Sequence, residues 1–545
     1  MNLIILAPMA STRNEHNQLL ILLQLFLCLL VNISNAQWLT HGGDITNSRY
    51  ARGEVLINPT NIRNNRLQLR WRFFTGSDVT ATPAIADEIV YFPAWNGNLY
   101  AVNAFTGALV WSQNLTQLTN ITATGEILNV TFSRTTPAIA GDLLIVGIYG
   151  PAVVIAVKRS TGELVWSRMI DRRPLIVITS SGTVYAGAFY VGVSSLEEGL
   201  PAQLCCTFRG SLVKLDVRTG VILWQTYTLP DNGGRLGGYS GAAIWGSSPS
   251  IDVVRGFVFA ATGNLYTAPL EVQRCQEQQN NQTTPTGPDR CIGPDVNFNS
   301  MLAFDIETGN IRWSRQLGGY DVFFLVCLIP DNPECPVGPN VDADFGEAPM
   351  LLTIKRNRRL LDVVVAVQKS GFVWTLNREN GDIVWFKQAG PGGFLGGGTW
   401  GAATDGQTIY TNIVNSNRVS FRLAPSNQTT TAGAWVALDA DTGDILWSTA
   451  NPSNDFAAGP VTLTRGVLFA GSVAPNGPFY AMDARNGTIL WTYNTGGTIY
   501  GGASAGYTCV YVGNGYALGL VNFPTWTRGT AVHAFCIEWG SINRL

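Results

Sequence analysis

The chain has 545 residues, of which 46% are hydrophobic and only 13% charged, and it carries 59 glycines and 16 tryptophans. Ordinary soluble domains are roughly one quarter charged, so this low-charge, glycine-rich profile suits a large all-β protein with many tight turns. A net charge of −2 with no long basic or acidic run gives nucleic acid no electrostatic foothold and excludes it as a partner.

Near the N-terminus, Leu19 to Val31 (LLILLQLFLCLLV) is an apolar run of signal-peptide length, followed by a small-residue cleavage pattern ending at Ala36. It is shorter than the ~20 residues that span a bilayer. Residues 1–36 are therefore expected to be a cleaved signal peptide, and 37–545 a single exported domain with no membrane span. Without Cys28, eight cysteines remain for an oxidising compartment. Proximity favours the pairs Cys205–Cys206, Cys275–Cys291, Cys327–Cys335 and Cys509–Cys536. No CxxCH haem motif and no CxxC zinc pair occurs. Seven N-x-[ST] sequons, among them Asn114, Asn120, Asn129, Asn281, Asn427 and Asn486, permit glycosylation.

One repeat organises the rest of the chain. AVNAFTGALVW (101–111), AVKRSTGELVW (156–166), KLDVRTGVILW (214–224), AFDIETGNIRW (303–313), TLNRENGDIVW (375–385), ALDADTGDILW (437–447) and AMDARNGTILW (481–491) each join two short strands through a turn and end in tryptophan. The turn glycine supplies φ > 0 for a hairpin. Two further strands precede most copies, giving four per unit. Trp71 belongs to a second half-repeat with no first half, and the C-terminal stretch supplies three strands with no fourth. Joining the ends closes an eighth unit and removes the open sheet edge. The fold expected is an eight-bladed β-propeller, its repeat tryptophans packed between blades. The long insertions, 225–302 and 314–374, each carry a proposed disulfide and are expected to shape a site on one face.

GGGTWG (396–401) fits a dinucleotide pattern but no helix follows, and GASAG (502–506) lacks the strand–turn–helix setting of a nucleophile elbow. Two histidines in the mature chain, His41 and His533, leave little room for histidine-based catalysis.

The tryptophan-ending repeat, HGGDITNSRYA (41–51) and WGSSPSIDVVRGFVFAATGNLY (245–266) resemble the quinoprotein alcohol dehydrogenases, propellers that hold pyrroloquinoline quinone (PQQ) and Ca²⁺ on the axis. CCTFRGS (205–211) and DADFGEAPML (342–351) resemble the polyvinyl-alcohol-dehydrogenase-like branch. The resemblance spans essentially the whole mature chain. It implies that the Cys205–Cys206 disulfide lies on one face of the quinone and Trp245 on the other. Ca²⁺ takes hard oxygen ligands, and the matching positions are Glu197, with Glu198 as the alternative, and Asn264. Lys369 falls where a cation stands beside the quinone carbonyl, stabilising charge as it develops. Arg134, Thr179, Trp400 and Tyr500 are candidates for the cofactor rim.

The family's proton-abstracting aspartate belongs to a D-x-W-D pattern. Here YDVFFLVC (320–327) offers Asp321 at the first carboxylate and Phe324 at the second. Phenylalanine accepts no proton, so the base is expected to be Asp321, or Asp342 or Asp344 from the next loop. The function expected is a secreted PQQ- and Ca²⁺-dependent dehydrogenase that oxidises a small or polymeric alcohol and passes electrons to an external acceptor. Its rival is a secreted propeller that has lost catalysis and binds a protein or glycan.

Overall fold

The structure is a computed structural model and describes residues 37–121, 130–279, 289–517 and 523–538. The expected signal segment and the sequons at Asn129 and Asn281 lie outside these residues. Among the described residues, no helix is long and apolar enough to cross a membrane.

Eight antiparallel sheets form the blades, seven of four strands and one, the third, with a fifth short strand. Blade 1 runs Ala84–Ala86, Ile89–Pro93, Asn98–Asn103 and Leu109–Asn114, and the order repeats round the ring. Blade 8 combines Ser504–Gly506, Cys509–Gly513 and Ala531–Ile537 with Leu67–Phe74 from the other end of the chain, Trp71 opposite Ala534. The ring closes as the two half-repeats require. All four disulfides form between the cysteines that proximity pairs, and Cys509–Cys536 staples two strands of the closing blade.

The repeat works through three local devices. Its Asp or Asn caps the turn: Asp439 Oδ1 accepts from the backbone N–H groups of Asp441 and Thr442, both at 2.9 Å. A bulge follows in each outer hairpin, as where Ala437 faces Trp447 but Leu438 faces Ile445, leaving Leu446 unpaired. The bulge turns the tryptophan towards the next blade. Trp447 then donates its indole N–H to Ala484 O at 2.9 Å, and Trp385 donates to Ala440 O at 3.1 Å. The turn glycine makes room: a Cβ on Gly443, at φ +79°, would stand 2.6 Å from the Trp385 ring. Trp491 has no such turn to meet, because blade 8 is closed by two chain ends; it packs edge-on against Phe535 instead.

An N-terminal segment threads the centre. Trp38 exchanges backbone hydrogen bonds with Ile85 of blade 1, and Leu39 O accepts from Ile139 of blade 2. Thr40 Oγ1 donates to Gly182 O at the start of blade 3. Ile45, Thr46, Ser48 and Arg49 then accept, through their carbonyls, from Ile251, Leu351, Thr404 and Leu463 of blades 4 to 7. The Arg49 guanidinium reaches Ala503 O at blade 8. One stretch thus touches all eight innermost strands in sequence order.

Candidate functional site

A cavity of about 130 Å³ is lined by side chains from blades 2 to 6 and blade 8 and the loops between them, which places it on the axis. Of the residues expected at the site, Arg134, Thr179, Trp245, Asn264, Lys369, Trp400 and Tyr500 line it, together with Glu198, Asp342 and Asp344.

Its charged centre is Lys369. The ammonium lies 2.9 Å from Asp342 Oδ1 and 3.1 Å from Asp344 Oδ2. Burial would lower the lysine pKa, but the two carboxylates win and hold it above its ordinary value. Burial raises the Asp342 carboxyl above its ordinary value, and the adjacent Lys369 ammonium opposes that shift by favouring the charged form. Asp344 is held by several donors: Oδ1 accepts from Asn264 N–H at 2.6 Å, and Oδ2 from Trp245 Nε1 at 2.9 Å. Two glycines allow this approach. A Cβ on Gly263 would come within 2.8 Å of Asp344 Oδ1, and one on Gly346 within 2.3 Å of the Trp245 ring. Thr179 Oγ1 fixes the Trp245 backbone by donating to its carbonyl at 2.8 Å, and Trp245 stands edge-on to Trp400.

Arg134 occupies an aromatic cage, 4.6 Å from the Trp400 ring and 5.9 Å from Tyr500, with Tyr149 and Tyr516 completing it. Tyr500 stacks on Tyr516 at 4.1 Å. His41, in the axial segment, donates from Nε2 to Trp400 O at 2.7 Å. Burial lowers its pKa to about 3, so the imidazole is neutral and acts as a brace.

Four expected residues lie off the cavity wall. Asp321 is fully buried behind it: Oδ2 accepts from Asn299 Nδ2 and Ala343 N–H, and Oδ1 from Asp342 N–H. It anchors the loop that presents Asp342. The disulfide-bonded Cys205 and Cys206 share an apolar cluster, which also holds Phe324, with Ala243 and Tyr266, which do line the cavity. Glu197 is also turned away, its Oε2 accepting from Thr207 N–H at 2.6 Å and Phe208 N–H at 2.9 Å. Its neighbour Glu198 faces inward, accepts no hydrogen bond from a described residue, and is pushed up to about 7 by burial. Asn264 donates both amide hydrogens, to Leu265 O and Phe323 O, and its Oδ1 has no donor among the described residues.

Sequence reasoning missed Tyr149, Tyr266, Phe323, Leu325, Phe394, Leu395, Tyr516 and Trp526 on the wall. A signal existed for one: Trp526, like Trp245 and Trp400, is a tryptophan outside the repeat register.

The donors on the wall decide whether a quinone and a calcium ion fit here. Among the described residues, no three His, Cys, Asp or Glu side chains form a metal cage. Glu198 and the Asn264 amide oxygen nevertheless offer two hard oxygen donors that no described residue uses, which fits a Ca²⁺ whose remaining ligands come from a cofactor. Arg134 has no carboxylate partner among the described residues and, with Lys369, suits a planar anionic ring walled by Trp245, Trp400 and Tyr500. The residues fit both groups.

Fold and cavity together define an eight-bladed propeller of the quinoprotein type. A family model described as outer membrane protein assembly factor BamB matches residues 65–315 and 369–521. Polyvinylalcohol dehydrogenase of Pseudomonas sp. is 30% identical over 88% of this chain and 73% of that protein. The polyvinylalcohol dehydrogenase of Sphingopyxis sp. is 30% identical over 83% of this chain and 69% of that protein. The crystal structure of quinohemoprotein alcohol dehydrogenase from Comamonas testosteroni superposes with a TM-score of 0.69 at 20% identity, covering 93% of this chain and 82% of that one. The chain belongs to the PQQ-type propeller family that this model describes and, within it, to the quinoprotein alcohol dehydrogenases of the polyvinyl-alcohol-dehydrogenase-like branch.

Proposed function

We propose that the protein is an exported PQQ- and Ca²⁺-dependent dehydrogenase that oxidises an alcohol to a carbonyl compound. The observation that carries this reading is the convergence of Lys369, Asp342, Asp344, Asn264, Glu198 and Trp245 on one axial cavity. Bound PQQ would supply the two-electron acceptor, which a propeller of amino acids lacks. Glu198 and Asn264 would hold the calcium ion.

The remaining work falls to the chain's own groups. Asp344 is committed to Trp245, Asn264 and Lys369 and orients them. Among the described residues the Asp342 carboxylate meets only Lys369, through Oδ1, so its Oδ2 is the oxygen available to take the proton of a substrate hydroxyl. Lys369 keeps that carboxylate in place and lends positive charge where negative charge develops. Thr179 and Trp400 fix the Trp245 ring. The sequence holds no CxxCH motif, so the acceptor of the electrons is not a covalent haem of this sequence.

Calorimetric titration with PQQ, with and without Ca²⁺, followed by dye reduction over a panel of alcohols, tests this. Calcium-dependent binding with turnover is expected. Calcium-loaded protein that takes up no PQQ overturns the reading.

A further inference from the structure

We propose that Asp78 is a positioning residue that holds Tyr516 and, through that ring, the Arg134 guanidinium in place for an anionic cofactor. The inference deepens the dehydrogenase reading and rests on it for the identity of that cofactor. Asp78 is buried behind the cavity wall, in the link between the strand Leu67–Phe74 and blade 1. Its carboxylate grips both flanks of the connection that joins Cys509–Gly513 to Ala531–Ile537 in blade 8. Oδ2 accepts from Ala517 N–H at 3.0 Å and Oδ1 from Gly529 N–H at 2.7 Å. Gly515 permits this approach, since a Cβ there would stand 2.2 Å from Asp78 Oδ1. Beside the first anchor, Tyr516 N–H donates to Thr527 O at 3.2 Å and ties the two flanks together.

The backbone of Asp78 holds the same ring by a second route. Its carbonyl accepts from Trp95 N–H at 2.9 Å, and Trp95 Nε1 donates to Thr80 Oγ1 at 2.9 Å. Trp95, fixed at both ends, stands edge-on to Tyr516 with 5.5 Å between centroids. From the other flank Trp526 packs 5.4 Å from Tyr516. Arg134 lies 5.6 Å from the Tyr516 centroid and has no carboxylate partner among the described residues, so rings set where its charge points. A carboxylate beside Arg134 would hold it more firmly but cancel the charge an anion needs. Asp78 steadies it at one remove, with its own oxygens spent on backbone N–H groups.

A double-mutant cycle tests this, read by calorimetric titration of the calcium-loaded protein with PQQ. Asp78→Asn keeps one acceptor and turns an amide N–H against the other donor; it is expected to weaken PQQ binding about tenfold. Removing a negative charge would by itself favour an anion, so a loss of affinity has the sign of positioning and not of charge. Tyr516→Leu is expected to cost at least as much, and the double variant no more than Tyr516→Leu alone, because no ring is left to position. Thr80→Val, which frees the Trp95 indole, is expected to weaken PQQ several-fold and replaces Asp78→Asn if that variant folds poorly. Near-UV circular dichroism of the PQQ-free protein reads the rings directly: the change made by Asp78→Asn is expected to vanish on a Tyr516→Leu background. Additive losses in either cycle, or PQQ binding that is unchanged or tighter in Asp78→Asn, overturn the proposal. Wild-type protein that takes up no PQQ, with the dichroism changes still coupled, sinks the dehydrogenase reading and leaves the hold of Asp78 on the Arg134 cage standing.

Discussion

Lys369 Nζ lies 2.9 Å from Asp342 Oδ1, and Asp342 projects from a loop whose backbone N–H groups are held by Asp321. The pair places a carboxylate with one uncommitted oxygen against the cavity, while the carboxylate behind it does the anchoring. Asp342→Asn is expected to lower kcat/KM by about 10²–10⁴-fold, the usual worth of a general base, with PQQ binding retained. Asp321→Asn keeps an acceptor but weakens the anchor; it is expected to lower the melting temperature and to reduce kcat less than Asp342→Asn does. The reverse ranking in dye-reduction kinetics would make Asp321 the base.

Two adjacent glutamates divide two tasks. Glu198→Gln removes the inward carboxylate and is expected to weaken calcium binding at least tenfold in a calorimetric titration, with little change in melting temperature. Glu197→Gln leaves calcium affinity near wild type but loosens the backbone at Thr207 and Phe208, which lowers the melting temperature. Loss of calcium binding in the Glu197 variant alone would exchange the roles.

The inter-blade dock can be weighed by two glycine substitutions. Gly443 and Gly496 both have positive φ, +79° and +87°, but a Cβ on Gly496 meets nothing within 4 Å whereas one on Gly443 strikes Trp385. Gly496→Ala is expected to cost about 1–2 kcal/mol, the backbone penalty alone. Gly443→Ala adds about 1–3 kcal/mol of overpacking against the ring. Equal shifts in denaturant midpoint would mean that the tryptophan adds nothing to the coupling between blades.

Glu54 gives a pH dependence away from the cavity. Burial pushes its carboxyl up to about 7, against the Thr508 and Tyr507 backbone N–H groups that pull it down. A carboxyl raised in the folded state favours folding fully below its unfolded pKa of about 4.3. That contribution is lost as pH rises through the folded value of about 7. The melting temperature is expected to fall between pH 5 and pH 8, and Glu54→Gln to flatten part of that fall. An unchanged slope in the variant would assign the dependence to other groups.

The blades were legible because their stabilising contact recurs: Asp or Asn, then glycine, then tryptophan, with every repeat tryptophan but Trp491 linked to the next blade by one indole hydrogen bond among the described residues. A periodic interaction leaves a periodic sequence, and even the split blade 8 showed as two incomplete repeats. The cavity leaves no period. Glu197 and Glu198 differ in role because a single 3-10 turn, Glu197–Gly199, aims one at Thr207 and the other inward, and three residues carry no pattern that could foretell it. Asp321 and Asp342 sit in one long insertion whose path is set by tertiary hydrogen bonds, so matching Asp321 to a motif located the loop and not the oxygen that faces the cavity. Phe394 is hidden likewise in a glycine-rich loop whose return over Lys369 depends on backbone contacts.

The axial segment also acts as a ruler. Residues 38 to 49 meet the innermost strands of blades 1 to 8 in ascending order, by backbone carbonyls for most and by the side chains of Thr40 and Arg49 for two. Tandem duplication, the event that builds propellers, would give a ninth blade no partner on this thread, and loss of a blade would leave one of its groups buried and unpaired. Copy number in this ring is thus written twice, in the wedge of each blade and in one short peptide that counts them.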